Sequence, residues 1–332
     1  GGGERLMPEQ QGTGNILEIK NLTTSYNIYK GKLKVLNGVS INLPKGQSIG
    51  LVGESGCGKT TTLRTVLQIL PAAGQVDSGS VWYNGQNCFE MSEAELQSFR
   101  RTGAAMIFQD PTAALNPVFT IGDQLLLAFE YSYSSKTSKK ELHEIALEAL
   151  NSVSMADPER IMKSYPFQLS GGMRQRVCIA MALAAGKKIL LADEPGTSLD
   201  VTIQDQILRL INKLVAEKDL SVIMVSHSLG VIREVASFVY VMYAGTIVES
   251  GNTRDVFNHP LHPYTRALLA CLPKLTGEGI AKGIRGRIPD YLNPPAGCRF
   301  SPRCPYVKDI CRAERPELEV DANGHSIACF MK

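Results

Sequence analysis

The sequence predicts an α/β fold in which helices cover a central parallel sheet. Three short apolar runs, SIGLVG, KILLADE and SVIMVSH, each lead directly into polar residues. Such runs are typical of buried parallel strands that carry functional groups at their carboxyl ends. The first run continues through a glycine-rich loop into a helix-forming stretch, which is the second signal for this fold class. With 332 residues, the chain is long enough for more than one domain.

The composition is ordinary for a globular protein, with 44% hydrophobic and 20% charged residues. A net charge of +3 is too small to indicate a nucleic-acid partner or a strongly basic membrane surface. No stretch approaches the ~18 consecutive apolar residues that span a bilayer. We interpret residues 1–15 as a disordered lead, in part a tag remnant, because they contain no apolar signal-peptide core. We therefore expect a cytoplasmic protein that reaches a membrane only by docking.

The first part of the chain predicts an antiparallel β subdomain. Apolar and polar residues alternate from Ile16 to Ile41, and the polar segment Asn27 to Lys34 predicts a loop between two strands. The run SGSVWY at residues 78–83 predicts a further hairpin strand.

A helical subdomain is predicted at about residues 110–168, inserted into an α/β core that spans residues 16–255. Apolar residues recur at helical spacing from Ile121 to Tyr131 and from Lys139 to Val153. After Asp255 the chain becomes rich in Pro, His, Arg and Cys, so residues 256–332 predict a separate C-terminal unit.

The glycine-rich loop from Gly53 to Thr60 matches the pattern G-x-x-x-x-G-K-[ST]. Its glycines let backbone N–H groups wrap a phosphate without interference from side chains. Lys59 is placed to reach the β- and γ-phosphates of a nucleotide, and the Thr60 hydroxyl is placed to ligate Mg²⁺.

Two carboxylates follow the second apolar run and predict the other half of a phosphoryl-transfer site. Asp193 is expected to hold Mg²⁺, and Glu194 is expected to face the attacking water. His227 follows the third apolar run, and Gln109 follows the run AAMIF. Each of these two polar residues, taken alone, is an ordinary structural feature.

The run LSGGMRQR from Leu169 to Arg176 places two glycines before a helix-forming stretch. This arrangement makes a helix N-terminus whose free N–H groups can face a phosphate.

These motifs, in this order, resemble those of ATP-binding-cassette (ABC) ATPases over roughly residues 16–255. The resemblance implies a P-loop NTPase core that hydrolyses ATP with Mg²⁺. It implies that Glu194 is the general base, that His227 steadies the γ-phosphate, and that Lys59 offsets its charge. It also implies that the LSGGM run closes over the ATP of a second ABC ATPase subunit, either a copy or a sister chain.

The residues expected to contact nucleotide are Tyr26 (resembling the aromatic that stacks on adenine), Gly53, Glu54, Ser55, Gly56, Cys57, Gly58, Lys59, Thr60, Thr61, Gln109, Ser170, Gly171, Gly172 and Asp200. The expected Mg²⁺ ligands are Thr60, Gln109 and Asp193.

Two residues depart from the pattern of these ATPases. Gly196 stands where a side chain is usual and is expected to loosen the turn after Glu194. Ser228 replaces the commoner aspartate and is expected to weaken the hold on the loop that carries His227.

The segments from Asn258 to Pro273 and from Pro294 to Phe330 resemble the C-terminal region of the oligopeptide/dipeptide importer branch. This resemblance implies an ATPase that energises peptide import through two transmembrane permease subunits. It also implies that a solute-binding protein takes part indirectly and that the ATPase lies on the inner face of the cell membrane. The alternatives are a nickel importer of the same branch and a soluble ABC ATPase that takes no part in transport.

Four of the eight cysteines fall within 32 residues, spaced C-x5-C-x6-C-x17-C. They are Cys298, Cys304, Cys311 and Cys329. A disulfide framework is not expected in a reducing cytoplasm, and the spacing alone indicates only four soft metal ligands. In this importer branch such cysteines resemble the ligands of a [4Fe–4S] cluster. We favour such a cluster, with a structural and not a catalytic role. Zn²⁺, free thiols in a small core, and a redox sensor that gates the ATPase are the alternatives.

Overall fold

The computed structural model describes residues 14–133, 137–183, 186–271 and 283–331. The predicted disordered lead falls almost entirely outside these residues and stays a prediction. Asn15, at the end of that lead, already pairs with Pro44 in the first strand.

A four-stranded antiparallel sheet forms the first layer, in the strand order β2-β1-β4-β5. Its strands are β1 (Asn15–Ile28), β2 (Gly31–Pro44), β4 (Gly74–Tyr83) and β5 (Gln86–Asn87). The prediction of a loop from Asn27 to Lys34 is wrong. Strands β1 and β2 continue through this segment, where Ile28 pairs with Gly31 and Ser25 pairs with Lys34. Backbone pairing continues there although almost all of these side chains are exposed, because main-chain hydrogen bonds hold the two strands together.

The second sheet has eight strands in the order β11-β12-β10-β9-β3-β8-β7-β6. Strands β6, β7, β8, β3 and β9 run parallel, which confirms the predicted parallel core. Strands β10, β12 and β11 add antiparallel pairs at one edge, so the C-terminal region extends the sheet of the core. The strands are β3 (Ser48–Val52), β6 (Ala104–Ile107), β7 (Ile189–Asp193), β8 (Ser221–Ser226), β9 (Phe238–Tyr243), β10 (Thr246–Asn252), β11 (Glu319–Val320) and β12 (Ser326–Ile327).

Twelve α-helices lie within the described residues. They are α1 (Lys59–Val66), α2 (Glu93–Ser98), α3 (Pro111–Ala114), α4 (Ile121–Ser132), α5 (Lys139–Ser152), α6 (Pro158–Met162), α7 (Gly171–Ala182), α8 (Val201–Lys218), α9 (Leu229–Val235), α10 (Thr253–Asn258), α11 (Pro263–Ala270) and α12 (Asp309–Ala313). In the part of the chain that the structure describes, no helix is both long and apolar enough to cross a bilayer.

Helices α3 to α6 occupy the segment predicted as helical, between strands β6 and β7. Capping boxes at Thr120 and Ser138 set the starts of α4 and α5, since each hydroxyl accepts from a backbone N–H one turn ahead. Buried Leu125, Phe129 and Ala146 join these helices to the same apolar cluster as the parallel sheet. This packing places the helical segment beside the carboxyl end of β6.

Candidate active site

The glycine-rich loop connects the end of β3 to the start of α1. Gly53, Gly56 and Gly58 have φ values of 155°, 80° and 109°, which L side chains rarely adopt. A Cβ on Gly53 would collide with the Met242 carbonyl, and one on Gly58 would lie 2.7 Å from Leu36 Cδ2. The loop therefore depends on glycine for both its conformation and its close packing.

Lys59 is held beneath this loop by the loop's own backbone. Its Nζ donates to the carbonyl oxygens of Gly53 at 2.7 Å and Glu54 at 3.1 Å, and it lies 3.8 Å from Cys57 Sγ. The residue is only 5% exposed. Burial raises the pKa of the Cys57 thiol, which favours its neutral form beside the ammonium.

The structure brings Thr60 and Asp193 together although 133 positions separate them in the chain. Thr60 Oγ1 donates to Asp193 Oδ1 at 3.1 Å. Burial raises the pKa of the Asp193 carboxyl, and the hydrogen bond from Thr60 acts in the opposite direction. A hydroxyl and a carboxylate at this separation are hard oxygen donors of the kind that Mg²⁺ accepts. The residues present therefore fit the metal that the sequence implies.

Glu194 is the meeting point of three polar side chains. Its Oε2 accepts from Gln109 Nε2 at 3.2 Å and from Thr197 Oγ1 at 3.4 Å. The same oxygen is hydrogen-bonded to His227 Nδ1 at 3.0 Å. Gln109 and His227 come from the carboxyl ends of β6 and β8, which flank β7 in the sheet. Gln109 thus lies in contact with the predicted base, and its predicted contact with Mg²⁺ stays a prediction.

Thr197 carries no functional signal in the sequence beyond its position three residues after Glu194, because threonine at a turn is usually structural. Glu194 itself has a positive φ of 49°, a backbone conformation of the kind found at functional sites.

The LSGGM run forms the N-terminus of α7, with Ser170 as its cap. Ser170 Oγ accepts from Met173 N at 3.3 Å. A Cβ on Gly171 would lie 2.8 Å from Leu199, and one on Gly172 would lie 2.6 Å from Ile203. Asp200 caps α8 by accepting from Ile203 N at 3.0 Å. The run and the loop before α8 therefore form one continuous patch, in which both glycines allow close packing.

Tyr26 lies beside the first turn of α1. Its hydroxyl is hydrogen-bonded to Thr61 Oγ1 at 3.3 Å, and its ring lies close to Gly74. This places an aromatic ring next to the helix that follows the glycine-rich loop.

The two departures from the ABC pattern have defined local structures. Gly196 has a φ of 110°, and a Cβ there would lie 3.3 Å from Gln204 Cγ. The glycine therefore permits this backbone turn. Ser228 precedes α9, where its N–H donates to Ser226 Oγ at 2.9 Å and its side chain makes no capping bond.

The four clustered cysteines line one pocket, together with His262 and Phe300. Burial raises the pKa of Cys298 to about 11, and the nearby Cys311, Cys329 and Cys304 add to this rise. Among the described residues, no group of three or more Cys, His, Asp or Glu side chains is arranged to hold a metal ion. The iron–sulfur and Zn²⁺ expectations therefore stay predictions.

The sheet order, the glycine-rich loop and the polar groups at the ends of β6, β7 and β8 define an ATPase of the ABC class. The profile of the ABC transporter family matches residues 36–197. The chain belongs to this family. Residues 248–311 also match the oligopeptide/dipeptide transporter, C-terminal region.

The similarity to known transport proteins extends over nearly the whole chain. The dipeptide transport ATP-binding protein DppD of Bacillus subtilis is 41% identical over 319 residues, which cover 96% of this chain and 95% of that protein. The oligopeptide transport ATP-binding protein OppD of Escherichia coli is 41% identical over 322 residues, with coverage of 97% and 94%.

Solved structures give the same fold. The post-hydrolysis dimer of the ATP-binding cassette MJ0796, bound to ADP and Pi, has a TM-score of 0.64 and 28% identity. The match covers 72% of this chain and 99% of the MJ0796 chain. The structure of cbiO1 from Clostridium perfringens has a TM-score of 0.63 and 24% identity. The match covers 74% of this chain and 91% of cbiO1. At this identity the likeness supports the fold alone.

Proposed function

We propose that this ATPase energises the import of dipeptides or oligopeptides through two transmembrane permease subunits, from the inner face of the membrane. One observation carries the proposal: proteins named for dipeptide and oligopeptide transport are 41% identical to it over nearly its whole length. The match to the peptide-transporter C-terminal region supports the same conclusion.

The geometry supports a mechanism in which the γ-phosphoryl group of ATP passes to water. Lys59 offsets negative charge on the β- and γ-phosphates, and the glycine-rich loop donates its N–H groups to them. Thr60 and Asp193 hold Mg²⁺, which when bound neutralises part of the phosphate charge. Glu194 orients and deprotonates the attacking water, since its carboxylate lies at the carboxyl end of β7 between Gln109 and His227.

We propose that a second ABC ATPase subunit completes the site. The patch formed by Ser170, Gly171, Gly172 and Asp200 would face the ATP bound to the partner's glycine-rich loop. The helix N-terminus at Ser170 is suited to a phosphate because its first N–H groups have no partner within the helix. The dimeric state of the MJ0796 cassette supports this arrangement, which either a copy or a sister chain could provide.

The proposed domain division assigns residues 16–255 to the ATPase and about 110–168 to its helical subdomain. Residues 256–332 form the C-terminal unit. The exposed apolar side chains of Val118 and Phe119, between α3 and α4, support contact of the helical subdomain with a permease.

The C-terminal cysteines are proposed to hold a [4Fe–4S] cluster. Their convergence on one pocket supports this assignment, because four cysteines near one another are the ligand set that such a cluster requires. When bound, the group would supply a structural cross-link between the turn that carries Cys298 and the chain end that carries Cys329.

Metal analysis of anaerobically purified protein tests the assignment. We expect about four irons and four sulfides per chain, and loss of both in Cys298→Ser. The control Cys178→Ser, in α7, should keep them. Stoichiometric zinc, or no metal at all, would contradict the cluster.

Transport is tested with the chain assembled with its permease subunits in proteoliposomes. We expect ATP-dependent uptake of labelled di- or oligopeptides delivered by the solute-binding protein, and no uptake with Lys59→Ala. Uptake of Ni²⁺ without peptide uptake would assign the chain to nickel import. ATP hydrolysis that no permease stimulates would instead favour an ATPase outside transport.

A further inference from the structure

The outer side of the glycine-rich loop is contacted by side chains from the C-terminal region. Tyr264, in α11, accepts a hydrogen bond from Glu54 N at 2.9 Å through its hydroxyl. Tyr291 donates its hydroxyl proton to the Gly56 carbonyl at 2.6 Å. Arg303 pairs with the Glu54 carboxylate through both terminal nitrogens. All three lie more than 200 positions from the loop in the chain.

The Arg303 contact has the most specific geometry of the three. Its Nη1 lies 2.7 Å from Glu54 Oε2 and its Nη2 lies 3.1 Å from Glu54 Oε1, which makes a bidentate pair. Further bonds to the carbonyl oxygens of Ile284 and Arg285 hold the guanidinium plane in place. The Arg303 side chain is only 4% exposed, and that of Glu54 is 29% exposed. The guanidinium is therefore shielded from solvent, whereas the carboxylate stays partly exposed.

Glu54 connects this arginine to the predicted phosphate-binding lysine. Its carboxylate binds Arg303, its N–H binds Tyr264, and its carbonyl oxygen accepts from Lys59 Nζ at 3.1 Å. A displacement of Glu54 would move both the lysine and the N–H groups of the loop. The position of the loop thus depends on a residue outside the ATPase motifs.

Arg303 also lies on the turn between two of the clustered cysteines. Ser301 N donates to the Cys298 carbonyl at 3.0 Å, and Arg303 N donates to the Phe300 carbonyl at 3.0 Å. Arg303 directly precedes Cys304 in the sequence. The turn that carries these two cysteines is therefore joined to the ATP site by one ion pair.

We propose that Arg303 is a positioning residue for ATP binding, which acts by fixing Glu54 and through it the glycine-rich loop and Lys59. This role of Arg303 concerns the ATP site of the isolated chain and depends neither on the transported substrate nor on the metal. An unchanged KM for ATP in Arg303 variants would not count against peptide import, and a lack of peptide uptake would not count against the role of Arg303.

The test compares ATP binding and hydrolysis by purified Arg303→Ala, Arg303→Lys and Glu54→Gln with the unaltered chain. In Arg303→Ala the KM and Kd for ATP should rise about tenfold, which corresponds to about 1.4 kcal/mol of binding free energy. The kcat at saturating ATP should stay within about twofold, since the rigid loop is restored once ATP fills it. Arg303→Lys should show a smaller rise, because lysine keeps the charge and loses the bidentate geometry.

The double variant Arg303→Ala/Glu54→Gln gives the decisive comparison. If the two residues act through one ion pair, its KM should be no higher than that of Arg303→Ala alone. The control Arg312→Ala removes an exposed arginine of α12 and should leave the KM unchanged.

An unchanged KM in folded Arg303→Ala would overturn the proposal, as would a double variant whose effect is the product of the single effects. If Arg303→Ala fails to fold, Arg303→Lys and Glu54→Gln take its place, because each removes the bidentate ion pair and keeps most of the side-chain volume. An unchanged KM in both would equally overturn the proposal.

Discussion

Replacement of Glu194 by glutamine tests the proposed chemistry with little change in shape. The three polar neighbours of this residue all contact one oxygen, Oε2, within 3.0–3.4 Å. A glutamine amide can place its own oxygen there and keep the contacts with Gln109, Thr197 and His227. The variant should therefore fold normally. It should also bind ATP, because the contacts that hold Lys59 Nζ come from Gly53, Glu54 and Cys57 and not from Glu194.

The loss in turnover follows from the role of the carboxylate. An amide cannot accept a proton from water at neutral pH, and a positioned general base contributes about 10²–10⁴-fold to rate. We expect kcat for ATP hydrolysis to fall by about this factor, or about 3–5 kcal/mol of activation free energy.

Steady-state phosphate release and equilibrium ATP binding are the two measurements. The matched control is Glu217→Gln, at an exposed position of α8, which should hydrolyse ATP at the normal rate. Turnover of Glu194→Gln within about tenfold of the unaltered chain would refute the base assignment. Loss of ATP binding would refute the view that the amide preserves the site.

Three further predictions concern stability. Glu249→Ala removes a completely buried carboxylate that accepts from His325 and from two backbone N–H groups. The free energy of unfolding in urea should fall by about 3–5 kcal/mol, and a loss below about 1 kcal/mol would contradict this. Gly196→Ala places a side chain at a φ of 110° and should cost about 1–3 kcal/mol in the same assay; unchanged stability would show that the turn relaxes. Burial lowers the pKa of Lys187 from 10.5 to about 8, so between these pH values the unfolded chain binds more protons. Stability relative to Lys187→Met should therefore rise from pH 8 to 10.5, and a flat or falling difference would contradict it.

The elements predicted well are those encoded by contiguous residues. The glycine-rich loop, the parallel strands before Asp193 and His227, and the helices at α4 and α5 all follow from a local pattern of apolar spacing, glycine and capping residues. The error at Asn27 to Lys34 has the opposite cause. Asn27, Gly31 and three lysines interrupt the apolar alternation in that segment, and its pairing depends on backbone hydrogen bonds across the hairpin.

The sequence by itself determined the nucleotide motifs, the class of fold and the presence of four clustered cysteines. Only the tertiary structure decided which side chains meet. The convergence of Gln109 and His227 on Glu194 depends on β6 and β8 flanking β7 in the sheet. The pair between Glu54 and Arg303 joins residues 249 positions apart, and no local pattern encodes such a contact. The physical reason is that a spacing rule describes one strand, helix or loop, whereas an active site depends on the order in which the sheet places those elements side by side.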